Sequence, residues 1–104
     1  MFIEDDDPDE KARIIDSMTS TPERVVAACV QGICEWAAED ALRNCRTPAL
    51  VVSATVFPAV NAELAKKMCP HLVTEQTVGT GHFNQLLAPD QVNAALERFM
   101  ASLN

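Results

Sequence analysis

His82 stands in the run Gly79-Thr80-Gly81-His82-Phe83, between an extended apolar segment and a helical one that opens near Pro89. Imidazole is the side chain best matched to moving protons near neutral pH. A histidine between a glycine turn and a helix can project from the carboxyl end of a strand, where sheet enzymes do their chemistry. That placement makes His82 the residue around which chemistry could be built. The other histidine, His71, follows Pro70 at a strand start and reads as an exposed loop residue.

A base needs something to activate. The serines are Ser17, Ser20, Ser53 and Ser102, and none lies in a Gly-x-Ser-x-Gly elbow, the strained turn that lifts a hydroxyl above a sheet. A thiolate next to an imidazole can also transfer acyl groups, but Cys29 and Cys34 fall on a helix face and Cys45 precedes the first strand. With Cys69, these cysteines show none of the short paired spacings that zinc sites and redox loops use. They read as reduced, mostly buried thiols, and neither a metal nor an organic cofactor is expected. Trp36, Phe57 and Phe83 are candidates to line an apolar substrate cavity, although aromatics so spaced are more often core.

The elements that must position these groups belong to one domain, since the chain has 104 residues. The formal net charge is -7, with an acidic cluster at Glu4, Asp5, Asp6, Asp7, Asp9 and Glu10. That balance argues against a phosphate-directed patch, so no nucleic-acid partner is expected, and the cluster reads as a solvated helix start. No apolar run is long enough to span a bilayer, and Met1-Phe2-Ile3 followed by acids does not resemble a secretory leader; a cytoplasmic location is the expectation.

Asp7-Pro8-Asp9-Glu10 has a capping aspartate, a proline for the first turn and an acid three residues after the cap, so a helix should start there and end at Thr19 to Pro22. A second helix, capped by Ser20 or Thr21, should carry Val25, Val26, Cys29, Val30, Ile33 and Trp36 on one face. A short helix at Glu39 to Asn44 follows. The β-branched run Ala49 to Ala54 predicts a strand buried on both faces. Pro58 to Asn61 opens a helix with Val60, Leu64, Ala65 and Met68 inward, and His71 to Val78 predicts a second strand. A last helix from about Pro89 to Ser102 should pack Val92, Leu96, Phe99, Met100 and Leu103 on the sheet. Phe2-Ile3 can add a very short third strand. Strand, helix, strand makes a parallel pair.

In order and spacing, these segments resemble the carboxy-terminal portion of the α/β-hydrolase family, over residues 47 to 103. Thr47-Pro48-Ala49-Leu50-Val51-Val52 is similar to that family's seventh strand, Gly79-Thr80-Gly81-His82-Phe83 to the turn after its eighth, and Pro89-Asp90-Gln91-Val92-Asn93 through Phe99 to its closing helix. The resemblance implies an α/β fold that is a partial α/β-hydrolase fold: two parallel strands, cap-like helices over residues 1–46 before them, and a closing helix. It implies hydrolysis of an ester or related acyl bond with His82 as base, and no cofactor. The family's nucleophile elbow is missing, and Phe57 occupies the place of its acid, leaving Glu35, Glu39 or Asp40 to approach from the helical segment. The competing expectation is a noncatalytic remnant that binds a partner or a small apolar ligand. Because two parallel strands leave their outer edges unpaired, association with further copies or with a second polypeptide through a sheet edge is expected.

Overall fold

A computed structural model describes residues 1–104. Helices α1 (Pro8–Thr19), α2 (Glu23–Glu35) and α3 (Ala38–Asn44) precede strand β1 (Leu50–Ala54), helix α4 (Ala62–Met68) and strand β2 (Val73–Thr77). The short helix α5 (Asn84–Leu87) and the long α6 (Pro89–Ser102) close the chain. No helix is long and apolar enough to cross a membrane.

Local chemistry accounts for most of the boundaries. Asp7 accepts from the amides of Asp9 and Glu10, and Pro8 fills the first turn of α1. At the other end of α1, the Ser20 and Thr21 hydroxyls donate back to the Ser17 carbonyl at 3.0 and 3.1 Å. They are thereby occupied, so α2 starts after Pro22 with no side-chain cap, contrary to the expectation from sequence. Asn61 caps α4 by accepting from the Leu64 amide at 3.1 Å.

The strands are parallel, in the register Leu50 with Val73 through Ala54 with Thr77. They form the whole sheet, so the α/β class expected from the sequence is present in its smallest form. Phe2-Ile3 does not add a third strand. Instead Phe2 stacks on Phe83, with ring centroids 5.3 Å apart, and the Met1 carbonyl accepts from the His82 amide at 2.7 Å.

Burial is thinner than the sequence implied. A small core joins Ala65, Cys69 and Leu72 to the half-buried Leu42, Cys45, Ala49 and Val51, where α3 and α4 meet the sheet. In β1 only Ala54 is fully buried, because two strands flanked by short helices cannot cover both faces. In α6, Ala95 is buried, while Leu96, Met100 and the capping Leu103 just past its end remain exposed. No residue of α2 is buried, and Ile33 and Trp36 are 71% and 65% exposed. The radius of gyration is 15.6 Å, against about 13 Å for a compact domain of this length. Helix α2 thus stands off the rest of the fold with its apolar face uncovered.

Between β1 and α4 the chain turns through Phe57, which has a φ of 57°. An L-residue there meets a steric cost of about 1–2 kcal/mol, while a glycine would add only about 0.5–1 kcal/mol of freedom to the unfolded chain. Phe57 is 49% exposed, and the covered half of its ring contributes about 0.8–1.5 kcal/mol, which offsets most of that difference. Phe57→Gly is expected to change stability by less than about 1 kcal/mol, read from the urea midpoint. A larger fall would show that the ring contributes more than its backbone costs.

Candidate functional site

The turn that carries His82 is built from the inside by polar groups. Gly79 adopts a φ of 73°, which lets the chain leave β2 sharply. Gln91, in the first turns of α6, clamps the end of β2: its Oε1 accepts from the Val78 amide and its Nε2 donates to the Val78 carbonyl, both at 2.9 Å. Every buried polar side chain of the protein, those of Asp6, Thr77, Thr80 and Asn84, belongs to this turn or packs against it.

Asp6 is the centre of that network. Its Oδ1 accepts from the Gly81 amide at 2.9 Å and from the Thr80 hydroxyl at 3.3 Å, while Oδ2 accepts from the Ile3 amide at 2.8 Å. Asn84 Nδ2 donates to Thr77 Oγ1 at 3.2 Å, tying the start of α5 to the end of β2. The acidic run therefore does more than solvate a helix start. One of its members is buried and holds the histidine turn, which no local pattern revealed because Asp6 and Gly81 lie 75 positions apart. The contact also crosses the boundary at residue 46, so the amino-terminal segment and the strand segment share the site.

His82 itself is half-buried, edge-on to Phe83 with centroids 5.1 Å apart and planes at 85°. It borders a cleft of about 210 Å³ with Val51, Val52, Ser53, Ala54, Ala59, Val60, Asn84 and Gln85. Four consecutive residues of β1 line the cleft and none of β2 does, which sets it on the side of β1 away from β2. The ladder agrees. Val73 donates to the Ala49 carbonyl and Thr55 to the Thr77 carbonyl, so by the alternation of a parallel pair the amides of Val51 and Ser53 face β2. Those of Leu50, Val52 and Ala54 face the free side. His82 overhangs that unpaired edge.

No carboxylate pairs with the His82 ring. Glu39 faces Arg43 at 3.6 Å and Glu35 accepts from Gln31 at 2.8 Å, so both are engaged along their own helices. Of the aromatic candidates, Phe83 is the one beside His82, and it also lines a second, wider groove with Ile14, Met18 and Leu86. Trp36 and Phe57 border neither cleft. Ser53, which lacks an elbow, does share the cleft of His82.

At the opposite end of the strands lies a grouping that sequence spacing hid. Cys45 caps α3, Cys69 caps α4 and His71 precedes β2, and their ligand-type atoms all lie within 4.8 Å of one another. The Thr47 hydroxyl beside Cys45 lowers that thiol's pKa, with help from His71, whereas burial raises that of Cys69. Cys29 and Cys34, expected to be buried, are exposed on α2 because nothing covers that helix. Comparison with protein-family models, curated proteins and solved structures finds no match in any of the three.

Proposed function

We propose that the chain supplies the histidine end of an α/β-hydrolase-type site that acts on an ester or related acyl bond, and that a second polypeptide paired on the free edge of β1 supplies the nucleophile. The observation that carries this reading is the position of His82, held over the cleft along that edge by the Asp6 network. A parallel strand added there would bring its own carboxyl end beside His82, the end at which α/β sheets place their ligands. The 104 residues contain no Gly-x-Ser-x-Gly elbow, so the strand that brings the nucleophile lies outside them.

In that site a serine hydroxyl of the partner attacks the acyl carbon while His82 accepts its proton. His82 then returns the proton to the leaving alkoxide, afterwards takes one from the water that attacks the acyl-serine, and gives that proton to the departing serine oxygen. Asp6 acts as a positioning residue, since it holds the backbone of Thr80 and Gly81 rather than the imidazole. The chemistry calls for no cofactor.

A second reading is a noncatalytic module that uses the same edge to bind a partner or a small apolar ligand. It is favoured by the absence of a carboxylate at His82 and by the uncovered Ile33 and Trp36. The two separate in one experiment. The chain is mixed with an amino-terminal α/β-hydrolase segment that bears the elbow and stops before the seventh strand. Light scattering gives the mass, and turnover of a short-chain p-nitrophenyl ester gives the activity. The paired species is expected to hydrolyse the ester, and His82→Ala to slow it by about 100-fold or more at unchanged mass. Pairing without turnover above buffer would leave the binding module.

A further inference from the structure

We infer that Cys45, Cys69 and His71 form a binding site for a soft divalent cation of the zinc class, which ties the ends of α3 and α4 to the start of β2. The donor set is two sulfurs and one imidazole nitrogen, the combination that favours zinc over magnesium or calcium. The spacing fits as well. Zinc–sulfur bonds of about 2.3 Å and zinc–nitrogen bonds of about 2.05 Å at tetrahedral angles set sulfur and nitrogen about 3.6 Å apart, and two sulfurs about 3.8 Å apart. Cys69 Sγ lies 3.7 Å from His71 Nδ1, and all donor atoms of the group fall within 4.8 Å of one another.

A second observation concerns the imidazole. His71 Nε2 lies 2.9 Å from the Thr47 carbonyl oxygen, which can only accept, so Nε2 carries the proton and donates it. That leaves the lone pair on Nδ1 free. A histidine ligand whose other nitrogen donates to a backbone carbonyl is the usual arrangement around protein-bound metals, because the outer bond fixes both tautomer and ring orientation. Thr47 thus serves the site through its backbone.

The fold explains why three residues so far apart in sequence meet. Cys45 and Cys69 each end a seven-residue helix, and both border the small core of Ala65, Cys69 and Leu72. Cys69 is 1% exposed, Cys45 is half-buried and His71 is exposed, so the site has a dry floor and an open mouth through which a cation can enter. As each sulfur–zinc bond forms, the thiol releases its proton to solvent and no electron is transferred. Three protein ligands leave the fourth position to water. Since the site lies at the amino ends of the strands and His82 near their carboxyl ends, the cation's role is to brace the fold, independently of the acyl chemistry proposed above.

The test is a titration of the reduced, chelator-stripped chain with Zn(II) against a chromophoric competitor, repeated with Co(II) for its absorption spectrum. About one cation per chain is expected, with a dissociation constant on the order of micromolar or tighter and a thiolate-to-cobalt charge-transfer band in the near ultraviolet. His71→Gln changes an exposed side chain and should fold normally while weakening binding about tenfold or more. Cys45→Ser and Cys69→Ser should weaken it further and remove part of the charge-transfer band. The double variant Cys29→Ser with Cys34→Ser should bind as the parent does. Absence of binding by the parent chain, or binding that follows Cys29 and Cys34 instead, would overturn the site.

Discussion

Gly81→Ala is expected to detach the amino-terminal segment from the histidine turn and to cost about 2–3 kcal/mol. A methyl group at Gly81 would clash with the Met1 carbonyl oxygen and stand 2.6 Å from Asp6 Oδ2 and 3.0 Å from Phe2 Cα. Two of those three neighbours are backbone, so the strain cannot be relieved by swinging a flexible side chain. The cheapest escape is for Met1 and Phe2 to lift away. That escape breaks the bond from the His82 amide to the Met1 carbonyl and the stacking of Phe2 on Phe83. Urea unfolding followed by circular dichroism measures the loss, and the ring resonances of His82 in proton spectra report the change at the turn. An unchanged midpoint with unchanged His82 resonances would show that the segment is not what holds the turn.

Asp6→Asn separates this effect from simple crowding. The carboxylate accepts from three donors, and an amide in its place must point an NH₂ group at either the Ile3 amide or the Gly81 amide. One donor then faces another inside a buried site, a mismatch of about 1–3 kcal/mol with no added volume. Gly32, with open space around it, is the contrasting glycine at which an added methyl meets nothing.

How far the sequence foretold this arrangement depends on the range of each interaction. The cap at Asp7, the proline at the start of α6 and the β-branched run of β1 act over a few residues, and the elements they predict are present. The apolar periodicity of α2 was equally legible, but periodicity shows that a face is apolar and not what meets it. Val30, Ile33 and Trp36 form that face and remain exposed. The contacts that gather these side chains were not legible for the same reason. Asp6 with Gly81, and His71 with Thr47, are joined across 75 and 24 positions by the fold. Cys45 and Cys69 are 24 residues apart by their numbering, which disguised a cluster that short spacing would have announced. One signal was available for Asp6: in a run of acids before a helix, Asp7 suffices as the cap, leaving its neighbour free for another task.

The free edge of β1 gives the sharpest separation between partner and fold. Val52→Pro is expected to leave the isolated chain folded while preventing the partner strand from pairing, and with it all turnover of the paired species. The Val52 amide faces away from β2, so proline there removes no bond of the existing ladder. Edge strands tolerate proline for that reason. The cost to the isolated chain is the packing of a half-buried valine, about 1–2 kcal/mol. To an incoming strand the cost is larger: a missing donor and a ring projecting into the new ladder, about 3 kcal/mol or more. Ser53→Pro is the matched control one residue on. Its amide faces β2, so the same substitution there strikes the only ladder in the protein and should unfold β1 and β2 together. Light scattering of each variant mixed with the elbow-bearing segment, beside circular dichroism of the variant alone, distinguishes the cases. Val52→Pro that folds, stays separate in mass and hydrolyses nothing places the partner on the edge beneath His82. Val52→Pro that still pairs and still hydrolyses moves the docking surface elsewhere, and the exposed face of α2 becomes the next to alter.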